Sequence, residues 1–415
     1  MVDKDKKIGI IGAGASGLST AYFLENKGYR NVTVLEKGTR VGGKCFTIKY
    51  NDKTYELGAM MAVPSHLNIL ELMNKVGMER NGPVLYRGFF TPDGEKTQQI
   101  KNEEVVEFQR QFSRLPSILN KYNKILEPGL SKVHPDLYRP FKEWCIKNDI
   151  PLMEKVYGPP FTAFGYGYLD EIPAAYVLKF LDWETLTSFI EVTHLITWRE
   201  GIQELWERIA SELNDIRLSS EVKSIERKDK VIVNTDLETL EFDNIILTCP
   251  LDESIYFMDT SQKEKDLFKN IKYTKFNVFA YSIEGLPKVS GYIPHHLPSN
   301  MLGHVLVWYY RWQDMAYNDL ITVYALGNDE IDESKCKAIV EEDLRRLGAK
   351  INRLHIHKSW KYFPHVDSET MAEGFYDKLE DLQSVNNTYY GGEIMSFSSI
   401  EQCIAYSKYL VNKFF

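Results

Sequence analysis

Cysteine is scarce in this 415-residue chain. There are five, Cys45, Cys145, Cys249, Cys336 and Cys403, odd in number, widely spaced and without a C-x-x-C pair. That excludes a disulfide framework or a cysteine zinc knuckle as the organising principle, and a reduced, cytoplasmic setting is expected. Long apolar runs are absent too. The N-terminal MVDKDKKIGIIGAG enters an apolar stretch too short for a signal-peptide core, and none reaches a membrane span, so no integral membrane association is expected. Positive charge is in deficit, with 50 Lys and Arg against 58 Asp and Glu, a formal charge of −8. A nucleic-acid or anionic-membrane surface needs the opposite field. An anionic small molecule stays possible, because one arginine can hold a carboxylate whatever the global sign. The close pair His355-x-His357 has no third ligand at useful spacing, so no metal site is expected. Neither an internal repeat nor a catalytic acid–base dyad stands out.

What is present is an ordinary globular composition, 44% hydrophobic and 26% charged, at a length that suits two or three subdomains. KIGIIG (7–12) suits a buried parallel strand, ASGLSTAYFLENKG has helical spacing and stops at Gly28, and NVTVLE returns to strand composition, which makes one βαβ unit. HLNILELMNKVG, VEFQRQFSRLPSILNKYNKIL and PAAYVLKFLDWETLTSF carry apolar residues three and four apart, the pattern of a helical insertion. A strand meander follows from Asp215 to Pro250. Further strands and one helix occupy the stretch up to about 350, and NTYYGGEIMSFSSIEQCIAYSKYLVNKFF reads strand, glycine turn and helix.

Gly12-Ala13-Gly14-Ala15-Ser16-Gly17 is a G-x-G-x-x-G between that strand and helix. It predicts a dinucleotide site, with a tight turn at Gly12, close backbone approach at Gly14, helix-on-strand packing at Gly17, and helix-start N–H groups at Ala15 and Ser16 for a diphosphate. Glu36, 24 positions after Gly12, is placed to accept from a ribose diol and to repel a 2′-phosphate, favouring FAD or NAD over NADP; a strand-end surface acid reads equally well. Directly after it, Glu36-Lys37-x-x-Arg40-x-Gly42-Gly43-Lys44 resembles the extended fingerprint of the FAD-binding amine-oxidase-like flavoproteins. There the glycine pair lets main chain pass a diphosphate, and Arg40 or Lys44 offsets its charge. That resemblance selects FAD.

The same resemblance assigns further cofactor contacts. Tyr390-Gly391-Gly392-Glu393 is similar to the late flavin motif, with Glu393 meeting the ribityl chain and Ser396 close behind it. Ser398-Ser399-Ile400-Glu401 fits an S-x-x-E capping box opening a last helix aimed at the flavin. Gly58, Ala59 and Met60 match the loop beside the flavin ring. Val222 matches the position whose backbone meets adenine, and serves equally as an ordinary core valine.

Three long strings sharpen the family. PFTAFGYGYLDEIPAAYVLKFLDWETLTSF (160–189), GHVLVWYYRW (303–312) and 362–397 resemble the bacterial polyenoic fatty acid isomerases, which include a linoleate isomerase, and the similarity runs essentially end to end. The fold it implies is α/β: a Rossmann-type FAD-binding domain (1–66, 196–255 and 385–415), a helical cap (67–195) and a mixed-sheet substrate domain (256–384). The implied reaction is an internal hydride transfer. A bis-allylic carbon gives hydride to flavin N5 and a terminal carbon of the pentadienyl cation takes it back, forming a conjugated diene without an acid or base residue. The implied substrate is a free polyunsaturated fatty acid, its carboxylate met by Arg87 with Phe189 guarding the channel. Phe164 and Tyr166 offer aromatic faces, though core packing is the favoured reading for any one such ring. The family carries two arginines and an acid where this chain has Tyr86-Arg87-Gly88, so one charge and its acidic neighbour are missing. An FAD-dependent amine or small-molecule oxidase, or a flavoprotein without turnover, would share the same fingerprints.

Overall fold

The protein is described here by a computed structural model covering residues 3–191, 195–313 and 320–415; residues 192–194, at the end of the expected helical cap, lie outside that set. Strand Lys7–Ile11 is buried along all but its first residue because it runs between Asn31–Leu35 and Asn244–Leu247, parallel to both. A strand covered on both faces needs continuous rather than alternating apolar residues, and KIGII supplies them. Thr388–Tyr390 and Ile216–Arg217 complete a five-stranded parallel sheet. Its strands come from both ends and the middle of the chain, so the binding face can form only once distant segments have met.

Helix Ala15–Asn26 packs between this sheet and the last helix, Ile400–Phe414. Being covered on several sides, it buries Leu18, Ala21 and Leu24 together with Ser19 and Thr20, whose hydroxyls turn back onto the Ala15 and Ser16 carbonyls one turn earlier. The helix ends at Gly28, φ +93°, with Gly28 N–H donating to Glu25 O and Tyr29 N–H to Leu24 O. That paired closure requires a left-handed residue, which glycine adopts without strain.

The second sheet has seven mixed strands in the order Lys350–His365, Lys272–Glu284, Leu320–Gly327, Val305–Tyr309, Ser290–Tyr292, Arg87–Phe90, Lys96–Thr97. Period-two alternation separates its two faces. Phe276, Val278, Tyr324 and Leu326 join the main core, whereas Phe279, Tyr281, Val323 and Ala325 meet helix Glu333–Arg346 through Cys336, Val340 and Leu344. The last two strands come from the otherwise helical segment before residue 191. Arg87 pairs in register with Ser290, so the sheet, not a helix, fixes its position.

A buried ion pair ties the small antiparallel sheet (Val222–Arg227, Val231–Thr235, Thr239–Phe242) to the late strand. Arg227 donates to Glu264 at 2.9 Å and to Asp259 at 2.7 Å, and the Tyr390 hydroxyl also donates to Glu264. Burial would raise Glu264, but the Arg227, Tyr390 and Ser261 hydrogen bonds overrule it and hold the carboxyl at about 2. Removing one partner would strand a buried charge, at a cost of about 3–5 kcal/mol. The network thereby anchors the strand that delivers Gly391, Gly392 and Glu393.

Candidate active site

At the carboxyl ends of the parallel strands lies a cavity of about 480 Å³. Gly12, Gly14, Ala15 and Ser16 line it from the first turn and helix start, Glu36 and Lys37 from the end of the second strand, and Gly42, Gly43 and Lys44 from the loop beyond. Ala59, Val222 and Glu393 join its wall from three further segments. An open α/β sheet places ligands at this edge.

The glycines make the cavity what it is. A Cβ on Gly17 would lie 1.9 Å from Gly12 O, so any side chain there drives the helix off the strand. Gly14 and Gly42 form an isolated bridge, and a Cβ on Gly43 would stand 3.1 Å from Gly14 Cα. Two bare backbone loops therefore abut at the start of a helix, where N–H groups and the positive dipole end favour an anion. Glu36 accepts from Ala13 N–H at 2.9 Å and from Gly38 N–H at 2.7 Å, which fixes its carboxylate at the rim. A diphosphate flanked by a ribose diol fits this donor and acceptor set.

Five of the residues expected at the cofactor stand elsewhere than on this wall. Gly17 lies behind it. The Arg40 guanidinium donates to the carbonyls of Val41, Gly43 and Cys45 and stacks 4.5 Å from the Phe46 ring, so it braces the double-glycine loop from behind. Gly58 and Met60 face a second cavity, and Ser396 is buried with its hydroxyl 3.3 Å from Gln402 Oε1. Thr248, Cys249 and Pro250, which also line the first cavity, had no motif to mark them. Their place directly after a parallel strand was the signal available.

At the deep end Lys44 Nζ pairs with Glu393 Oε2 at 2.7 Å, and Ser398 donates to the same oxygen at 3.1 Å. The capping-box reading of the last helix is corrected. Ser399 is the N-cap, accepting from Gln402 N–H, while Glu401 reaches across to accept from Asn68 N–H and Ile69 N–H, both at 3.0 Å, and so caps helix Leu67–Lys75. Three thiols line the cavity, and burial keeps each protonated, Cys249 and Cys403 being pushed up to about 12 and Cys45 higher. No thiolate nucleophile is available from them.

Ala59, Tyr362, Ser398, Ser399 and Ile400 line both this cavity and a second, apolar one of about 60 Å³. Phe164, Tyr166, Phe180 and Phe189 enter it from the helical segment, and Phe276, Tyr324 and Tyr362 from the seven-stranded sheet. Tyr166 stacks on Tyr362 at 5.4 Å and 23°, and Phe164 meets Phe189 edge-on at 5.5 Å. Burial raises both tyrosines well above the ordinary phenol range, so they stay neutral. Buried His66, which the sequence did not mark, also lines this space, and burial lowers it to about 4. Phe189 and Met61 in turn border a narrow third space that contains Arg87. Arg87 donates to Phe189 O at 2.8 Å and Ile190 O at 2.9 Å, closing the carboxyl end of helix Trp183–Ile190. Burial lowers its pKa, with Tyr292 and Tyr309 acting the other way.

Comparison with known proteins agrees with this geometry. A model of the family described as flavin containing amine oxidoreductase matches residues 15–406. The crystal structure of the fatty acid isomerase from P. acnes that produces CLA superposes with a TM-score of 0.97, at 36% identity over 100% of both chains. The polyenoic fatty acid isomerase of Ptilota filicina is 37% identical over 76 residues, which is 18% of this chain and only 15% of that protein's length. Putrescine oxidase, at 17% identity and a TM-score of 0.72 over 98% of each chain, shares the fold. Among the described residues, no helix is long and apolar enough to cross a membrane.

Proposed function

The chain belongs to the flavin containing amine oxidoreductase family, which implies a flavin cofactor, and on that premise we propose that it is an FAD-dependent isomerase bringing a double bond of a free polyunsaturated fatty acid into conjugation. The observation that carries the reading is the line of three spaces. A glycine-lined cavity shares Ala59, Tyr362 and Ser398–Ile400 with an aromatic one, and that one shares Phe189 and Met61 with the space that contains Arg87. A dinucleotide, the reacting segment of an apolar chain and a carboxylate match the chemistry of those linings in that order. The full-length likeness to a fatty acid isomerase supports the same assignment.

Gly12, Gly14, Ala15, Ser16, Gly42 and Gly43 would hold the FAD diphosphate, Glu36 the adenosine ribose, Val222 the adenine and Glu393 the ribityl chain. Bound there, FAD supplies a carrier that accepts a hydride from carbon and returns it. The residues of the chain do the rest. Phe164, Phe180, Phe189 and Phe276 hold an apolar chain and exclude water. A carbon chain deprived of hydride is electron-poor, and the stacked faces of Tyr166 and Tyr362 stabilise such a cation through their ring quadrupoles. Arg87, fixed by two carbonyls, keeps further N–H donors for a fatty carboxylate. No proton has to move. That agrees with protonated thiols and a neutral His66 at the two cavities.

The test is to incubate the flavin-loaded protein with linoleate deuterated at the bis-allylic carbon. Diene absorbance should rise without oxygen uptake, with the label retained in the product at a neighbouring carbon. Label lost to solvent in a conjugated product would replace hydride transfer by deprotonation, and steady peroxide without a conjugated product would reject the isomerase and leave an oxidase on the same fold.

A further inference from the structure

Away from both cavities, three ligating side chains converge that the proposed chemistry does not use. His296 ends the short turn Pro294–His296, His304 directly precedes strand Val305–Tyr309, and Asp343 lies on helix Glu333–Arg346. His296 and Asp343 are 1% and 3% exposed, whereas the His304 side chain is 30% exposed. One ligand atom from each can be chosen so that all lie within 4.8 Å of one another. His304 Nδ1 is 3.0 and 3.1 Å from the two Asp343 oxygens.

The peptide of Val305 organises the group. Its N–H donates to Asp343 Oδ2 at 2.9 Å, and its carbonyl stands 2.8 Å from His296 Nδ1. A carbonyl can only accept, so that contact puts the His296 proton on Nδ1 and leaves Nε2 with a free lone pair. Histidines that bind metals are commonly held in this way, by a backbone carbonyl on the opposite ring nitrogen. The His296 and His304 rings lie 4.8 Å apart, tilted by 42°.

The donor set chooses the cation. Two imidazoles and one carboxylate suit zinc, cobalt or nickel, whereas calcium and magnesium prefer oxygen alone. Bonds of about 2.0–2.1 Å set ligand atoms roughly 3.3 Å apart in a tetrahedron. The His304–Asp343 edge is already near that spacing; the remaining gap is at His296, whose Nδ1 is 3.9 Å from Asp343 Oδ2, and the exposed His304 ring gives the site room to adjust. The same exposure leaves a side open for water as the fourth ligand. We infer that His296, His304 and Asp343 form a binding site for a divalent transition-metal cation of the zinc class. An ion there joins turn, strand and helix on the face of the seven-stranded sheet covered by that helix. None of the three residues lines the cavities at Gly14 or Phe164, so the site stands or falls independently of the isomerase reading.

The experiment uses chelator-treated, flavin-loaded protein, titrated with Zn²⁺ by calorimetry and with Co²⁺ by visible absorption. One zinc per chain should bind and raise Tm, and cobalt should develop the intense d–d bands of a low-coordinate nitrogen and oxygen site. His304→Gln replaces a partly exposed ring and should fold normally, yet weaken zinc binding more than about tenfold and abolish the cobalt bands. His355→Gln should change neither. A wild type that takes up no stoichiometric zinc, a His304→Gln variant that binds as tightly, or loss of binding in His355→Gln would each overturn the site and leave a plain Asp–His hydrogen bond.

Discussion

The two adjoining cavities are built from different materials. The first has one wall of backbone, with glycines at 12, 14, 42 and 43 and a helix start, and a few fixed charges such as Glu36 and the Lys44–Glu393 pair. The second is walled mainly by rings, Phe164, Tyr166, Phe180, Phe189, Phe276 and Tyr362 among them. Backbone walls read shape and charge, and an added atom there takes space from the ligand. Ring walls exclude water and can re-pack when one member changes. Substitutions in the first cavity should therefore act on cofactor content, and substitutions in the second on turnover with the cofactor retained.

The sharpest break of that contrast uses two glycines. Gly17→Ala puts a Cβ 1.9 Å from Gly12 O, so both the fold and the flavin should be lost, seen as aggregation or a colourless protein with a collapsed Tm. In Gly14→Ala the new Cβ meets only Gly43 Cα, at 4.0 Å, so the empty protein has room for it. It should fold with near-normal Tm yet hold less than about a tenth of the wild-type flavin, because the methyl occupies the approach a diphosphate needs. Normal flavin content in Gly14→Ala would place the diphosphate elsewhere.

On the ring side, Phe189→Ala opens the partition between the aromatic cavity and Arg87. It should retain flavin and lose roughly 10- to 100-fold in kcat/KM for linoleate, because the chain is held less firmly. Lost flavin in this variant would mean that the two walls are not separable. A smaller effect is expected at Arg87. Arg87→Met should raise KM about tenfold, close to 1.4 kcal/mol, with kcat little changed, which is the signature of binding shared by ground and transition states. Arg87→Lys should recover little, since an ammonium cannot bridge the Phe189 and Ile190 carbonyls as the planar fork does.

The same division governs what could be read from sequence. The first cavity was legible because its pieces are local: a strand, a glycine turn and a helix within twenty residues, then an acid and a glycine pair. Arg40 shows the limit, since its spacing identifies the loop but not the direction of the guanidinium, which turns to three carbonyls of its own loop. The second cavity was half hidden. Phe276, Tyr324 and Tyr362 sit on long strands where an inward ring that lines a cavity has the same period-two signature as one filling a core. Arg87 fell within a segment read as mostly helical, beside a strand-like piece of it, and its pairing with residue 290 is a contact no local pattern encodes. Glu401 was assigned to its own helix cap and instead caps another helix more than 300 residues away in sequence.

His66 provides the smallest and most discriminating test, because it is a titratable group in the ring-walled cavity. Burial lowers it to about 4, against about 6.5 in an unfolded chain. Between those values the unfolded state binds the extra proton, so the contribution of neutral His66 is complete above pH 6.5 and is lost as pH falls towards 4. The full difference is of the order of 3 kcal/mol. Buried His365, also lowered to about 4, acts in the same direction, whereas burial raises Glu56 and Glu401 and partly opposes the loss over the acid end of the window. His66→Gln removes one titration and leaves the others. Its Tm should therefore fall less steeply than wild type between pH 6.5 and 4, while flavin content at pH 7 is unchanged. An identical slope would mean that His66 is hydrated and charges freely, and a cavity wet enough for that could not protect a carbocation from water.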